Sequence, residues 1–496
     1  MSYALNAHER LVVFVCLSLA TFMMVLDYSI ANVSIPYIAG DLAVSVDLGT
    51  YVITAFAVGN AIGLAMTGWL TKRMGQIRLI TWSIGLFTFF SWVCGLSFSL
   101  EMLIVGRFIQ GFVAGPVIPL SQSLLLLQGS DSTRTRDLAI WSTIVITAPV
   151  LGPILGGYIS DWYQWSWIFY INIPIGIVSM CGIYFVLRRF ETAVERVSGD
   201  IIGMLLLAVG TSCLQIFLDK GQQWDWFNSS KITCLAWGAL VCLTALVIYE
   251  LAHKRPFLNL KLFAIPSFSL AIVALLISYA IYFGTIVLVP LWLQEYMGYS
   301  SEWAGLVVAA LGIAPVFLSL VTPKVIRRVG NLKTLLIAFI FFAVACFYTR
   351  LFETNVDAWH VAFSRFIFGF GFVFYISPLL GMSVEGIPDE KLASATGIFH
   401  FLRSLIGAVG TSCFTTLWMR RTIFHHERLA ERVHVIEKKT RASLELLNQA
   451  VDKQAAMLAI NEVFSLMGYL FVGLIVLLVM WELAMHTGLR EKIFLR

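Results

Sequence analysis

The stretch Arg107-Phe108-Ile109-Gln110-Gly111-Phe112 recurs 258 positions later as Arg365-Phe366-Ile367-Phe368-Gly369-Phe370. A second segment, Lys72-Arg73-Met74-Gly75-Gln76-Ile77-Arg78-Leu79, returns 255 positions on as Arg327-Arg328-Val329-Gly330-Asn331-Leu332-Lys333-Thr334. Two repeats at nearly one spacing divide the chain into two parallel halves with inserted sequence between them. Parallel halves about an axis along the membrane normal are an alternating-access design, with the site between them near the bilayer midplane.

The composition around these segments agrees. Of 496 residues, 59% are hydrophobic and 13% are charged, against roughly 25% charged in soluble domains. Such a chain is an integral membrane protein. Its long apolar runs predict fourteen helices, near residues 11–36, 47–70, 79–98, 101–127, 138–160, 167–187, 200–219, 231–252, 268–293, 302–322, 333–352, 358–384, 393–418 and 463–486. About 20 apolar residues suffice for a span. The repeat pairs helices 1–6 with helices 9–14. The expected architecture is all-α, with a six-helix bundle over 1–190, two inserted helices over 191–262 and a second six-helix bundle over 263–496, which carries a long outer loop at 420–462.

Charge sets the orientation. With the N-terminus in the cytoplasm, the cytoplasmic segments hold 20 Lys or Arg, and the short outer loops hold three, Lys220, Lys231 and Arg350. The positive-inside rule therefore puts both termini in the cytoplasm. The 420–462 loop carries eight more basic residues, but large loops translocate largely regardless of charge. Trp162, Trp165, Trp167, Trp224 and Trp226 gather at outer helix ends, as interfacial aromatics do. The net charge of +5 reflects the loop asymmetry and does not point to nucleic acid. The eight cysteines fall in apolar runs without metal-ligand or CxxC spacing, and are read as small core residues. No phosphate-binding glycine loop followed by Lys-Ser/Thr is present, so ATP is not expected to drive the protein. No nucleophile–base constellation suggests an enzyme.

The first predicted helix closes on Leu26-Asp27-Tyr28-Ser29-Ile30-Ala31-Asn32-Val33-Ser34-Ile35-Pro36. A carboxylate at the depth of Asp27 costs roughly 2.5–3.5 kcal/mol on insertion scales, so it is expected to face a polar interior or water path. At a rise of about 1.5 Å per residue, Asp27 lies roughly 14 Å and Arg107 roughly 9 Å from the outer ends of their helices. Both fall in the outer half, where they can share a cavity. An arginine stays charged at working pH. Near a carboxyl it favours the ionised form, while burial favours the neutral acid. A changing separation would then take up a proton on one side of the membrane and release it on the other. The alternative is a fixed structural pair bracing helix 4.

Further polar residues interrupt the apolar runs. Asn32, Gln110 and Gln122 offer polar contacts to a substrate, with Tyr279, Tyr282 and Phe283 as candidate linings from the other half. Each of these aromatics also suits plain packing. His400 and Arg403 lie seven to ten residues into helix 13. The histidine suits a satisfied core position, and Arg403 suits an anionic substrate or a carboxylate not identified. Arg365 is the repeat mate of Arg107. Gly152, Pro153, Gly156 and Gly157 in helix 5 form either a pliable seam between the halves or small-residue packing. The 420–462 loop has helical spacing and alternating charge, which suits a solvated helical flap or a partner-docking surface. His425-His426 is a weak metal signal, and no metal is expected.

These segments resemble the major facilitator superfamily, in its fourteen-helix drug:proton antiporter branch, over nearly the whole chain. Leu26-Asp27 through Pro36 resembles the branch's helix 1 motif, whose aspartate is tied to proton coupling. Gly68 through Arg78, with Arg73 and Gly75, is similar to the helix 2–3 loop motif that gates the cytoplasmic side. Lys72 stands where most members carry an aspartate, a departure at the usual charge-relay latch. Arg107, Gln110 and Gly111 match the helix 4 motif associated with proton transfer. Gly152, Pro153, Gly156 and Gly157 match the helix 5 antiporter motif. Ser18 through Met23, Ile118 through Leu126, and Gly152 through Asp161 are similar to the EmrB-type exporters of this branch. The resemblance implies a cofactor-free pump driven by the proton gradient, in the inner membrane of a Gram-negative bacterium. It would work with a periplasmic membrane-fusion adaptor and an outer-membrane channel. Its substrates would be lipophilic, often weakly acidic toxic compounds. A dedicated exporter of one metabolite, such as a siderophore, and a non-transporting membrane sensor or scaffold of the same fold are the alternatives.

Overall fold

A computed structural model describes residues 5–127, 131–192, 194, 200–221, 223–253, 258–318, 321–432 and 441–486. Among these, the predicted helices appear in order. They are α1 (Ala7–Asp41), α2 (Tyr51–Met74), α3 (Gln76–Gly95), α4a (Leu100–Ala114) with α4b (Val117–Leu127), α5 (Asp131–Trp162), and α6a (Trp167–Tyr170) with α6b (Asn172–Leu187). The inserted pair is α7 (Ile201–Lys220) and α8 (Ser230–Ala252). Then come α9 (Pro266–Glu295), α10 (Ser301–Leu318), α11 (Thr322–Thr349), α12a (Ala358–Val373) with α12b (Ile376–Val384), α13 (Asp389–Arg432) and α14 (Arg441–His486). Twelve spans among the described residues are long and apolar enough to cross a membrane. The shorter α10 and the more highly charged α5 occupy the two remaining predicted places.

Three expectations about the elements change. First, α1 runs through Pro36 to Asp41. The proline removes one ladder hydrogen bond without ending the helix. Asp27 is therefore fourteen residues from that end, roughly 21 Å rather than 14 Å. Second, most of the predicted 420–462 loop is continuous helix, the far ends of α13 and α14. The two ends are stitched together. Trp418 Nε1 donates to the Ala456 carbonyl at 3.3 Å, and Arg421 Nε to Glu462 Oε2 at 2.6 Å. His425 and His426 reach Glu462 and Asp452 at 3.1 and 3.3 Å. Ala455, Ala456, Ala459 and Ile460 are buried beneath them. The alternating charges are thus partly cross-hairpin pairs. Third, Cys234 and Cys413 are exposed rather than core, and Trp165 is buried, its indole donating to Asp41 Oδ2 at 2.8 Å.

The chain forms two compact units, Met1–Ser269 with Ser383–Leu405, and Leu270–Met382 with Ile406–Arg496. In the first, α2 packs on α4a, α1 on α5 and α6b, and α7 on α2. A Cβ added to Gly111 would stand 2.1 Å from the Phe56 carbonyl oxygen, so only glycine permits that approach. In the second, α10 packs on α12a, and α11 on α12a and α14. There a Cβ on Gly369 would stand 2.1 Å from the Leu311 carbonyl oxygen. The sequence repeat is therefore also a packing repeat. The two sharp turns repeat as well. Gly75 and Gly330 hold φ values of 88° and 84°, which only glycine adopts readily.

Candidate functional site

Along α1 of the first unit, one apolar cluster takes Val13 through Met24 and a second takes Leu26 through Ile38. Asp27 lies at their junction and is only 2% exposed. Its Oδ2 accepts from Arg107 Nη1 at 2.5 Å, and its Oδ1 accepts from Asn172 Nδ2 at 2.7 Å. Arg107 stands two turns into α4a, a helix whose start is capped by Ser99 Oγ accepting from the Met102 amide at 3.3 Å. The same Nη1 donates to Gln110 Oε1 at 2.8 Å. Gln110 Nε2 and Asn172 Nδ2 both donate to Ser91 Oγ, at 2.6 and 3.2 Å. Four helices, α1, α3, α4a and α6b, thus meet on one buried ion pair.

The pair is dry. Arg107 is fully buried, and its Nε and Nη2 have no hydrogen-bond partner among the described residues. Aromatic faces cover the guanidinium instead, Phe56 at 4.3 Å and Phe169 at 5.4 Å. Such contacts stabilise a desolvated cation by up to about 2 kcal/mol. A buried pair of this kind is costly to break by removing one partner, about 3–5 kcal/mol, because the other charge is left uncompensated.

The remaining candidates fall in several places. Gln110 is inside this network, with both ends of its amide engaged. Asn32 is outside it, exposed, and donates to the Tyr28 carbonyl of its own helix at 3.3 Å. Gln122 of α4b and His400 of α13 meet: His400 Nε2 lies 2.6 Å from Gln122 Oε1, with both side chains buried and His400 Nδ1 unpartnered. Since Gln122 Oε1 accepts, Nε2 carries the proton. Arg403 is half-buried one turn away. In the second unit Tyr282 is stacked on Phe372 at 4.7 Å, and Tyr279 and Phe283 pack beside it at 5.6 and 5.5 Å. Arg365 is buried there, with no carboxylate paired to it among the described residues. Its Nε donates to Ser364 Oγ and its Nη2 to Thr349 Oγ1, both at 3.1 Å.

Gly152 and Gly156 bring α5 close to α1 within the first unit. Added Cβ atoms would meet Ser29 Oγ at 2.3 Å and the Ile30 carbonyl oxygen at 2.9 Å, two and three residues past Asp27. Gly157 and Gly68 face open space. The Pro153 side chain lies outside the described residues. Arg73 is exposed and covers Trp69 at 5.1 Å. At the Gly75 turn, Glu191 accepts from the amides of Ile77 and Arg78 at 3.1 and 2.8 Å, and Thr192 Oγ1 accepts from the Gln76 amide at 2.9 Å. Lys72 is exposed. The carboxylate at this turn therefore arrives from the end of α6b rather than from position 72.

Sequence reading missed Asn172, Ser91 and Glu191. Asn172 carries a faint signal, an amide in the run Phe169-Tyr170-Ile171-Asn172-Ile173-Pro174. Ser91 and Glu191 carry none.

Residues 17–411 match the Major Facilitator Superfamily. The chain is 42% identical to "Multidrug export protein EmrB" of Escherichia coli (strain K12) over 487 residues, 95% of each chain. It is 40% identical to "Fatty acid resistance protein FarB" of Neisseria gonorrhoeae over 490 residues, 95% of this chain and 96% of that one. Its fold is similar to that of the crystallised peptide transporter POT, with a TM-score of 0.61 at 12% identity, covering 93% of this chain and 94% of that one. The chain belongs to the Major Facilitator Superfamily: it is a multi-pass membrane transporter related to EmrB, and not an enzyme.

Proposed function

We propose that this protein is a proton-coupled antiporter that exports lipophilic and amphipathic toxic compounds across the bacterial inner membrane, with both termini in the cytoplasm. The observation that carries the reading is the buried Asp27–Arg107 pair, held by Asn172 and Gln110. Asp27 is the proton carrier and Arg107 its coupling partner. While paired, the carboxylate is ionised and its charge is answered. When Arg107 withdraws, burial favours the neutral acid, and a proton is taken up. One proton crossing about 150 mV supplies roughly 3.5 kcal/mol. That supports a substrate ratio of a few hundred-fold, at about 1.4 kcal/mol per tenfold. The names of the relatives support a small-molecule cargo, one being a multidrug export protein and another a fatty acid resistance protein.

The test is efflux from proteoliposomes under an imposed pH gradient. The wild type should concentrate substrate against its gradient, and Asp27→Asn should lose gradient-driven transport while still binding substrate. Unchanged efflux in Asp27→Asn would remove the carboxylate from the coupling step. The far ends of α13 and α14 form a surface for a periplasmic membrane-fusion adaptor and its outer-membrane channel. Detergent pull-down with a purified adaptor should fail when residues 422–458 are deleted, and undiminished capture would place docking elsewhere.

A further inference from the structure

Helix α3 begins without a cap of its own. Its N-cap position is Gly75, which has no side chain and holds φ at 88°. The first amides of a helix lack partners within it. Here three of them are answered from 113 to 116 residues away: Glu191 accepts from Ile77 and Arg78 through its two carboxylate oxygens, and Thr192 accepts from Gln76. A carboxylate at a helix start also meets the positive end of the helix dipole. A Cβ added to Gly75 would stand 2.3 Å from Glu191 Oε1. The glycine thus makes room for the acid as well as for the turn.

The same short segment holds a second helix start. Arg189 Nη2 donates to Glu9 Oε1, in the first turn of α1, at 2.6 Å. Phe190, between Arg189 and Glu191, packs on the apolar cluster that includes Val13, Ile77 and Leu187. Residues 188–192 therefore form a strap from the end of α6b across the starts of α1 and α3. The strap stands at the water's edge. The Glu191 side chain is 17% exposed, against 1% for that of Asp27. Water can replace its hydrogen bonds, so this contact is easier to release than the dry Asp27–Arg107 pair.

The repeat supplies a control. Gly330 makes the same turn at a φ of 84°, and a Cβ there would meet nothing within 4 Å among the described residues. Glu482, near the end of α14, reaches the Lys333 ammonium at 3.3 Å, with the lysine more than half exposed. The turn therefore stands without an acid against its glycine. The contact at Gly75 is an addition to the fold and not a requirement of it.

We propose that Glu191 is a positioning residue for the transport cycle: with Thr192 it fixes the turn between α2 and α3, and its hold sets the balance between the outward- and inward-open states. This rests on the chain being an alternating-access transporter, and not on proton coupling at Asp27. The plainer role is a cap that stabilises α3 and nothing more.

Hydrogen exchange of the purified full-length protein, without ligand or gradient, separates the two. Glu191→Ala should speed exchange at residues 76–79 roughly tenfold under either role. Remote reporters decide between them. One is the Gly330 turn, on the same side of the membrane as Gly75. The others are residues 42–50 and 96–99, on the opposite side. Alternating access opens one side as it closes the other. A shifted balance should therefore move the two sides in opposite senses, each by roughly threefold or more. Glu191→Gln keeps one acceptor and should give the same pattern at reduced size. No change at 76–79, remote reporters that stay put, or remote reporters that move in the same sense would overturn the proposal. If Glu191→Ala melts early, Glu191→Gln and Thr192→Val carry the same test. Opposite shifts in a protein whose Asp27→Asn variant transports unchanged would keep this role for Glu191 and sink the coupling reading.

Discussion

Arg107 and Arg365 occupy equivalent places in the repeat, on helices packed in the same way, and both are buried. Among the described residues, only Arg107 meets a carboxylate. Arg107 has Asp27 at 2.5 Å and Gln110 at 2.8 Å. Arg365 has two hydroxyls at 3.1 Å, an unpartnered Nη1, and the rings of Phe464 and Phe368 at 5.2 and 5.7 Å. Phe368 is the repeat mate of Gln110. The acid has a mate too. Gly152 packs on Ser29 and Gly410 on Ala280, so Asp27 corresponds to Ser278, whose hydroxyl lies 2.6 Å from the Tyr375 hydroxyl. The scaffold is duplicated, and among the described residues the buried acid–arginine pair stands in one copy. Under the proposed reading, that asymmetry is the reason proton handling is sought in the first unit.

The asymmetry makes opposite forecasts for one substitution. Arg107→Met strands a buried carboxylate and should destabilise the protein by about 3–5 kcal/mol. Arg365→Met strands nothing charged. Thr349 and Ser364 still bond to each other at 3.1 Å, so the change should stay within about 1 kcal/mol or stabilise. Thermal melting of both variants in detergent checks this. Equal losses would mean that Arg365 has a counter-charge and that the comparison is wrong.

A smaller effect sharpens the comparison at the helix starts. Ser99 caps α4a, and 258 positions later Asp357 caps α12a, accepting from the His360 amide at 3.0 Å. The Asp357 carboxyl is held below the usual carboxylate range, first by the His360 ring and then by the His360 amide. A group whose folded value is depressed stabilises fully above its unfolded value, and loses that contribution as pH falls through the folded value. Acid should therefore loosen the start of α12a and spare α4a, whose cap does not titrate. Hydrogen exchange at residues 358–361 relative to 100–103, between neutral pH and about pH 3, measures it. A constant ratio would show that the cap does not depend on charge.

Much of this was legible beforehand. Fourteen apolar runs, the repeat and the Asp27–Arg107 pairing follow from hydropathy, periodicity and the cost of burying charge. The supports of that pair were not. Asn172 lies 145 residues from Asp27 and 81 from Ser91, and neither Asn172 nor Ser91 breaks an apolar run loudly enough to be noticed. The end of α1 was misplaced because Pro36 looks like a terminus, although a proline can sit inside a helix that packing holds together. The length of α13 and α14 was hidden by charge, which reads as loop until the partners across the hairpin are known.

The central claim is that one carboxylate, in one of two matching bundles, exchanges protons for substrate. Proton release on adding substrate to purified protein, followed with a pH indicator in weak buffer, tests it most directly. The wild type should release protons in step with binding, and Asp27→Asn should bind substrate and release none. Equal release from both proteins would contradict the account.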